Sequence, residues 1–179
     1  FPLRALSIVY TDLFRGIPTV LVVYLLGFGI PSLDLPGVPS GAAFWGVVGL
    51  ILSYSAYVAE VYRAGIESVH PSQAAAARSL GLSRSKTLRF VIIPQAVRRV
   101  IPPLLNDFIG LQKDTALVAF VVAIPEAFKQ GQIYQAADFN FTPLLAVALM
   151  FLLLTVPLTR FTDWLLERQR RRRQAGAAA

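Results

Sequence analysis

A chain of 179 residues that is 55% hydrophobic and 15% charged falls well short of the roughly 25% charged content of soluble domains. That deficit excludes disorder and argues against an ordinary water-soluble enzyme. The 17 basic and 10 acidic residues give a net charge of +7, but the excess sits between apolar runs rather than on a polar domain surface as in a nucleic-acid binder. Without a cysteine and with one histidine, the chain has no disulfide framework, thiol nucleophile or Cys/His metal cluster.

A bilayer core is about 30 Å thick, so a spanning helix needs roughly 20 mostly apolar residues. The first run, IPTVLVVYLLGFGI at 17–30, is short for a complete span and is expected to borrow the turns from 5 to 14. The second, at 41–59, carries no charge. The third, at 101–124, is long enough but interrupted by Asn106, Asp107, Gln112, Lys113, Asp114 and Thr115, with Pro102 and Pro103 suited to its first turn. The fourth, at 143–159, is also uncharged, and Pro157 should kink it only locally. These runs predict an all-α, polytopic membrane helical bundle with four crossings, the first and third irregular; the alternative is a soluble protein with a large helical core.

The connections alternate in charge. Segment 31–40 has no Lys or Arg and segment 125–142 has Lys129 alone, whereas Arg4, Arg15, Arg63 and the basic residues of 78–99 and 160–173 all fall on the other side. The positive-inside rule places loop 60–102 and the C-terminus in the cytoplasm.

In that loop, SQAAAARSL at 72–80 is a strong local helix former. Ser72 can cap it, Gly81 can end it in a left-handed conformation, and Ser83 can cap a second helix that Pro94 should stop. The result is a helix–Gly–helix hairpin with Leu80 and Leu82 at the bend and Arg78, Arg84, Lys86 and Arg89 on its exposed side. A solvated basic linker lying on anionic lipid is the alternative.

The stretch 75–94, AAARSLGLSRSKTLRFVIIP, resembles the "EAA" loop of ABC importer membrane subunits. Ala76, Ala77, Gly81 and Pro94 match in register, Val91 and Ile93 are conservative replacements, and Ala75 stands where the motif has Glu. FRGIP at 14–18, AYVAEVYRAGIESV at 56–69, PQAVRRVIPPLLNDFIGLQKDTAL at 94–117 and the C-terminal span resemble the polar amino-acid branch of these permeases, so the likeness covers nearly the whole chain through Leu166. It implies a permease domain over 1–166, with a coupling loop at 60–102 and an EAA-like hairpin at 72–94, followed by a basic cytoplasmic tail at 167–179. It also implies a further N-terminal spanning helix ahead of Phe1, so the chain is expected to lack its beginning.

The resemblance makes the hairpin a coupling element for a cytoplasmic ABC ATPase dimer, through Ala76, Ala77, Arg78, Leu80, Gly81, Leu82 and Arg84. It further implies an extracytoplasmic solute-binding protein, a second permease copy as homodimer or paralogue, a polar amino acid as cargo, and the bacterial inner membrane as location. The acidic residue of the Asn-Asp pair in the third run would be the substrate contact, giving Asp107 that role with Asn106 beside it.

From the residues alone, intramembrane charge is functional by default, yet polar groups also bond membrane helices together. Asp107 and Asp114, seven apart, share one helical face; Lys113, Asp114, Thr115 and Tyr57 are the remaining intramembrane polar candidates, and Ser53, Tyr57 and Glu60 follow helical spacing along the second run. Glu60 can instead pair with Arg63 or Arg84. The Gly81–Thr87 stretch lacks the second glycine of a phosphate loop and follows a helix rather than a strand, so ATP is expected to bind another polypeptide, and no cofactor, metal or nucleic acid is called for. An ion-driven secondary carrier or a scaffold without a pathway are the rival readings; the long cytoplasmic hairpin speaks against the first and the paired intramembrane charges against the second.

Overall fold

The structure, a computed structural model, describes residues 2–177. They form seven helices: α1 (Pro2–Gly16), α2 (Thr19–Ser32), α3 (Ala42–Glu67), α4 (Pro71–Ser79), α5 (Arg84–Val122), α6 (Ala127–Asp138) and α7 (Thr142–Ala177). By length and apolarity α3 and α7 can each cross a bilayer, and the bent pairs α1–α2 and α5–α6 bring the crossings to as many as four.

The packing centre is where α2, α3 and α5 meet. Val23, Leu50, Val118 and Val122 form the core. The approach is close because α3 carries glycine there: a Cβ on Gly49 would lie 3.2 Å from the Cα of Val23, and one on Gly46 would lie 3.0 Å from Val122. In lipid, where apolar burial drives little association, such small-residue contacts let backbones touch and gain dispersion energy. Most large apolar side chains elsewhere face outward, Leu153 and Leu145 of α7 among them, as a lipid-embedded bundle requires.

Several expectations are corrected. The first crossing is not one rod: α1 and α2 meet at 99° because Pro18 cannot continue the helix. The Tyr10 hydroxyl anchors α1 sideways on α3, donating to the Leu52 carbonyl at 3.0 Å and lying 2.5 Å from Ser55 Oγ. Pro94 does not stop the second helix of the hairpin. A wide π turn at Leu88–Ile92 precedes it, with the Ile93 N–H bonded to the Leu88 carbonyl five residues back. That extra residue makes room for a ring that would strike the preceding turn. The same device recurs in α2, where the π turn Leu25–Gly29 ends two residues before Pro31. Pro102 and Pro103 consequently lie inside α5, not in its first turn. The connection at 125–142 holds a helix of its own, α6, capped by the Glu126 carboxylate on the Phe128 N–H at 2.9 Å.

At the far end, α7 runs unbroken past residue 166 to Ala177. Phe1 and the last two residues of the expected tail, Ala178 and Ala179, lie outside the described residues.

Candidate functional site: a polar seam and a helical hairpin

Helices α3 and α5 lean together along most of their length, and their polar residues collect in the seam. On α5 the spacing 107–110–114 keeps Asp107, Gly110 and Asp114 on one face. Together with Thr19, Tyr54, Tyr57 and Asn106 they line a cavity of about 190 Å³. A larger one, of about 710 Å³, continues toward Ser68 and Arg99 between Arg15, Glu60, Pro102 and Leu166. Tyr57 and Asp107 belong to the walls of both, so they stand at the junction.

The two aspartates differ in their bonding. Asp114 accepts a hydrogen bond from the Tyr54 hydroxyl at 2.9 Å on Oδ2. Asp107 Oδ2 is buried and has no hydrogen-bond partner. A buried acceptor left unmet costs about 1–3 kcal/mol, more if charged, and such groups in folded proteins ordinarily have a reason. Here the oxygen belongs to a residue that lines both cavities.

Charged groups frame the larger cavity. Glu60 is gripped by Arg63 on its own helix, at 2.5 and 3.0 Å, and by Arg15 of the α1–α2 corner at 3.5 Å; of its two expected partners, Arg84 is not among them. Arg99 binds the carbonyl and hydroxyl of Ser68, the latter at 3.0 Å, and so ties α5 to the end of α3. Ser53 is fully buried and lines neither cavity. Lys113 and Thr115 also line neither: Lys113 is exposed on the neighbouring face, and Thr115, likewise exposed, donates to the Gln112 carbonyl at 2.7 Å. The sequence pattern does not single out Arg15, Thr19 or Arg99 as site residues, and it marks Tyr54 only as a polar residue of the second run. The first two sit in the 14–18 motif or just after it, and Tyr54 precedes Tyr57 by one helical turn, which was the available signal.

The hairpin is built from local bonds. His70, rather than Ser72, caps α4, its ring nitrogen accepting from the Ser72 N–H at 3.2 Å. With φ +84 at Gly81, the Gly81 N–H reaches the Arg78 carbonyl at 3.0 Å and the Leu82 N–H reaches Ala77 at 3.2 Å. This paired closure needs a left-handed residue, which glycine supplies without a Cβ clash. Ser83 accepts from the Lys86 N–H at 3.4 Å to open α5. Leu80 at the tip is 84% exposed; Leu82 is half-buried, Ala77 buried, and Ala76, Arg78 and Arg84 exposed, as is Ala75. No cluster of three or more His, Asp or Glu side chains suited to a metal occurs among the described residues.

The family model of binding-protein-dependent transport system inner membrane components matches residues 1–171. The chain belongs to that family. The permease is 38% identical over 155 residues to the probable amino-acid permease protein YxeN of Bacillus subtilis, covering 86% of this chain and 69% of that one. It is 37% identical over 156 residues to the glutamine transport system permease protein GlnP of Escherichia coli, with 86% and 69% covered. A solved structure, the crystal structure of an amino acid ABC transporter with histidines, superposes with a TM-score of 0.83 at 32% identity, over 93% of this chain and 77% of that chain. The permease is thus a multi-pass inner-membrane subunit of an ABC importer, and ATP hydrolysis resides on a separate subunit of such systems. The secondary-carrier and scaffold readings fall away.

Proposed function

We propose that the permease carries a polar amino acid through the α3–α5 seam by alternating access, with Asp107 as the contact for the substrate's ammonium group and Asn106 as its hydrogen-bonding neighbour. The unpartnered Asp107 Oδ2 at the junction of the two cavities carries this reading. A carboxylate held out of water attracts an ammonium ion more strongly than water-exposed groups do. The named substrates of its relatives, glutamine and amino acids generally, agree with it.

An extracytoplasmic binding protein delivers the solute. The ATPase dimer docks on hairpin 72–94, gripping Leu80 and Leu82 with Arg78 and Arg84 at the flanks, and its closure moves α4 and α5 as rigid bodies. Two permease copies stand side by side, their C-termini in the cytoplasm beside anionic headgroups.

The test is ATP hydrolysis by the reconstituted importer, screened against single amino acids with the binding protein present. Wild type should be stimulated by a polar amino acid. Asp107→Asn should lose at least tenfold in transport while still assembling with the ATPase. Unchanged transport by Asp107→Asn would remove the contact; lost assembly would make Asp107 a structural residue.

A further inference from the structure

Lys113 poses a problem that one copy of the chain does not solve. It lies 14 residues beyond Arg99 on the same helix, about 21 Å along the axis, which is inside a hydrocarbon layer about 30 Å thick. Of the charged residues between Arg99 and Glu126, which are Asp107, Lys113 and Asp114, it alone has an exposed side chain. Among the described residues no carboxylate lies within ion-pair distance of it. An ammonium facing lipid costs about 2.5–3.5 kcal/mol at the centre of the layer on insertion scales, and Lys113, about 6 Å from that centre by the same count, carries part of that cost. Its own Asp114 is adjacent in sequence and projects from a different face of the helix.

We propose that Lys113 faces a second copy of this chain and pairs there with Asp114. The inference rests on the two-copy assembly proposed above and adds the face and the pair. Asn106, Lys113, Leu117 and Phe120 follow each other at spacings of seven, four and three, hence on one stripe of α5. All four are exposed, Leu117 and Phe120 being 47% and 56% exposed. The stripe runs beside the small cavity, whose wall includes Asn106.

Two copies inserted the same way round are related by an axis along the membrane normal, so equivalent residues lie at equal depth. Asp107 and Asp114 are the carboxylates of this stretch. Asp107 sits about 9 Å lower, six residues back; Asp114 sits level with Lys113. Tyr54 occupies Asp114 Oδ2, which leaves Oδ1 for an ammonium from across the interface. Two such pairs, one each way, would close the seam laterally in both copies and spare both charges contact with lipid.

The chain lacks cysteine, so pairs can be introduced cleanly. Two tagged copies, one Lys113→Cys and the other Asp114→Cys, are co-expressed with the ATPase in native membranes and treated with a short bismaleimide, because an ion pair of these side chains sets the Cα atoms beyond the reach of a disulfide. A crosslink joining the two tags is expected, and none for the control position Leu153→Cys in both copies. Dimeric particles without the 113–114 crosslink would overturn the pairing while leaving two-copy assembly intact; monomeric permease would overturn both. A charge exchange adds an independent readout. Lys113→Asp and Asp114→Lys should each reduce the dimer fraction in detergent at least fivefold, and the double exchange should recover more than half of it. A double variant as impaired as the singles would also defeat the proposal.

Discussion

In the hairpin, the bonds that cap the helices and close the bend join residues no more than five apart, from His70 and Ser72 to Leu82 and Ala77, with one longer side-chain bond from Gln95 Nε2 to Gln73 Oε1 at 3.4 Å between the arms. In the seam, the hydrogen bond between Tyr54 and Asp114 spans 60 residues. The first region owes its form to capping and to one left-handed glycine, and it turns its side chains outward. The second depends on glycine-lined helix contacts and turns its polar atoms inward. An exposed bend can be specified locally, whereas a seam buried between helices needs distant segments to agree.

Substitutions should separate the two regions. The largest effect is expected at Gly65, where a Cβ would lie 2.0 Å from Val100 Cγ1. Gly65→Ala should lower the stability of the purified permease by about 1–3 kcal/mol, the usual range for overpacking. Adding Val100→Ala should recover much of it; a thermal melt in detergent that shows no recovery would mean the contact is not the cause. Gly81→Val places a β-branched residue at φ +84, a cost of about 1–2 kcal/mol confined to the hairpin. Its melt should barely move, while ATPase binding and transport fall sharply. A global loss of stability would show that the hairpin is not locally specified. Ser83→Ala removes a cap of about 1 kcal/mol, and faster amide exchange should appear at 84–88 and not in the spans. The smallest effect is a gain. Ala123 ends α5 at φ 55, so Ala123→Gly should stabilise the permease by up to about 1 kcal/mol, read as a slight rise in melting temperature.

This contrast also sets what the sequence could reveal. The Gly81 turn and the Ser83 cap are readable because the responsible atoms lie within a few residues, and the long apolar runs mark the crossings. The 99° corner at Gly16–Pro18, the passage of α5 through Pro94 and the position of Pro102 and Pro103 inside it were not readable. A proline marks a boundary in isolation, but a π turn ahead of it changes the outcome, and hydropathy carries no sign of that turn. At the site, Asp107 and Asp114 could be put on one face from their spacing alone. That Tyr54 meets Asp114 while Asp107 keeps an unmet oxygen depends on how α3 and α5 are rotated against each other, which one helix's pattern does not contain.

The wide turn at Leu88–Ile92 also acts as a phase setter for everything after it. It holds one residue more than an ordinary turn would use, so its five residues turn through about the angle that four take in an even helix. Winding all five evenly would swing Asp107 about 100° around the axis and out of the cavities, without any change in its own neighbours along the chain. A one-residue deletion at Phe90 should therefore remove the wide turn and leave Asp107 in phase, whereas the same deletion at Val97, in the regular part of α5, should rotate the carboxylate away and abolish transport as fully as altering Asp107 itself. Equal uptake by the two deletion variants would show that the phase is not set at this turn.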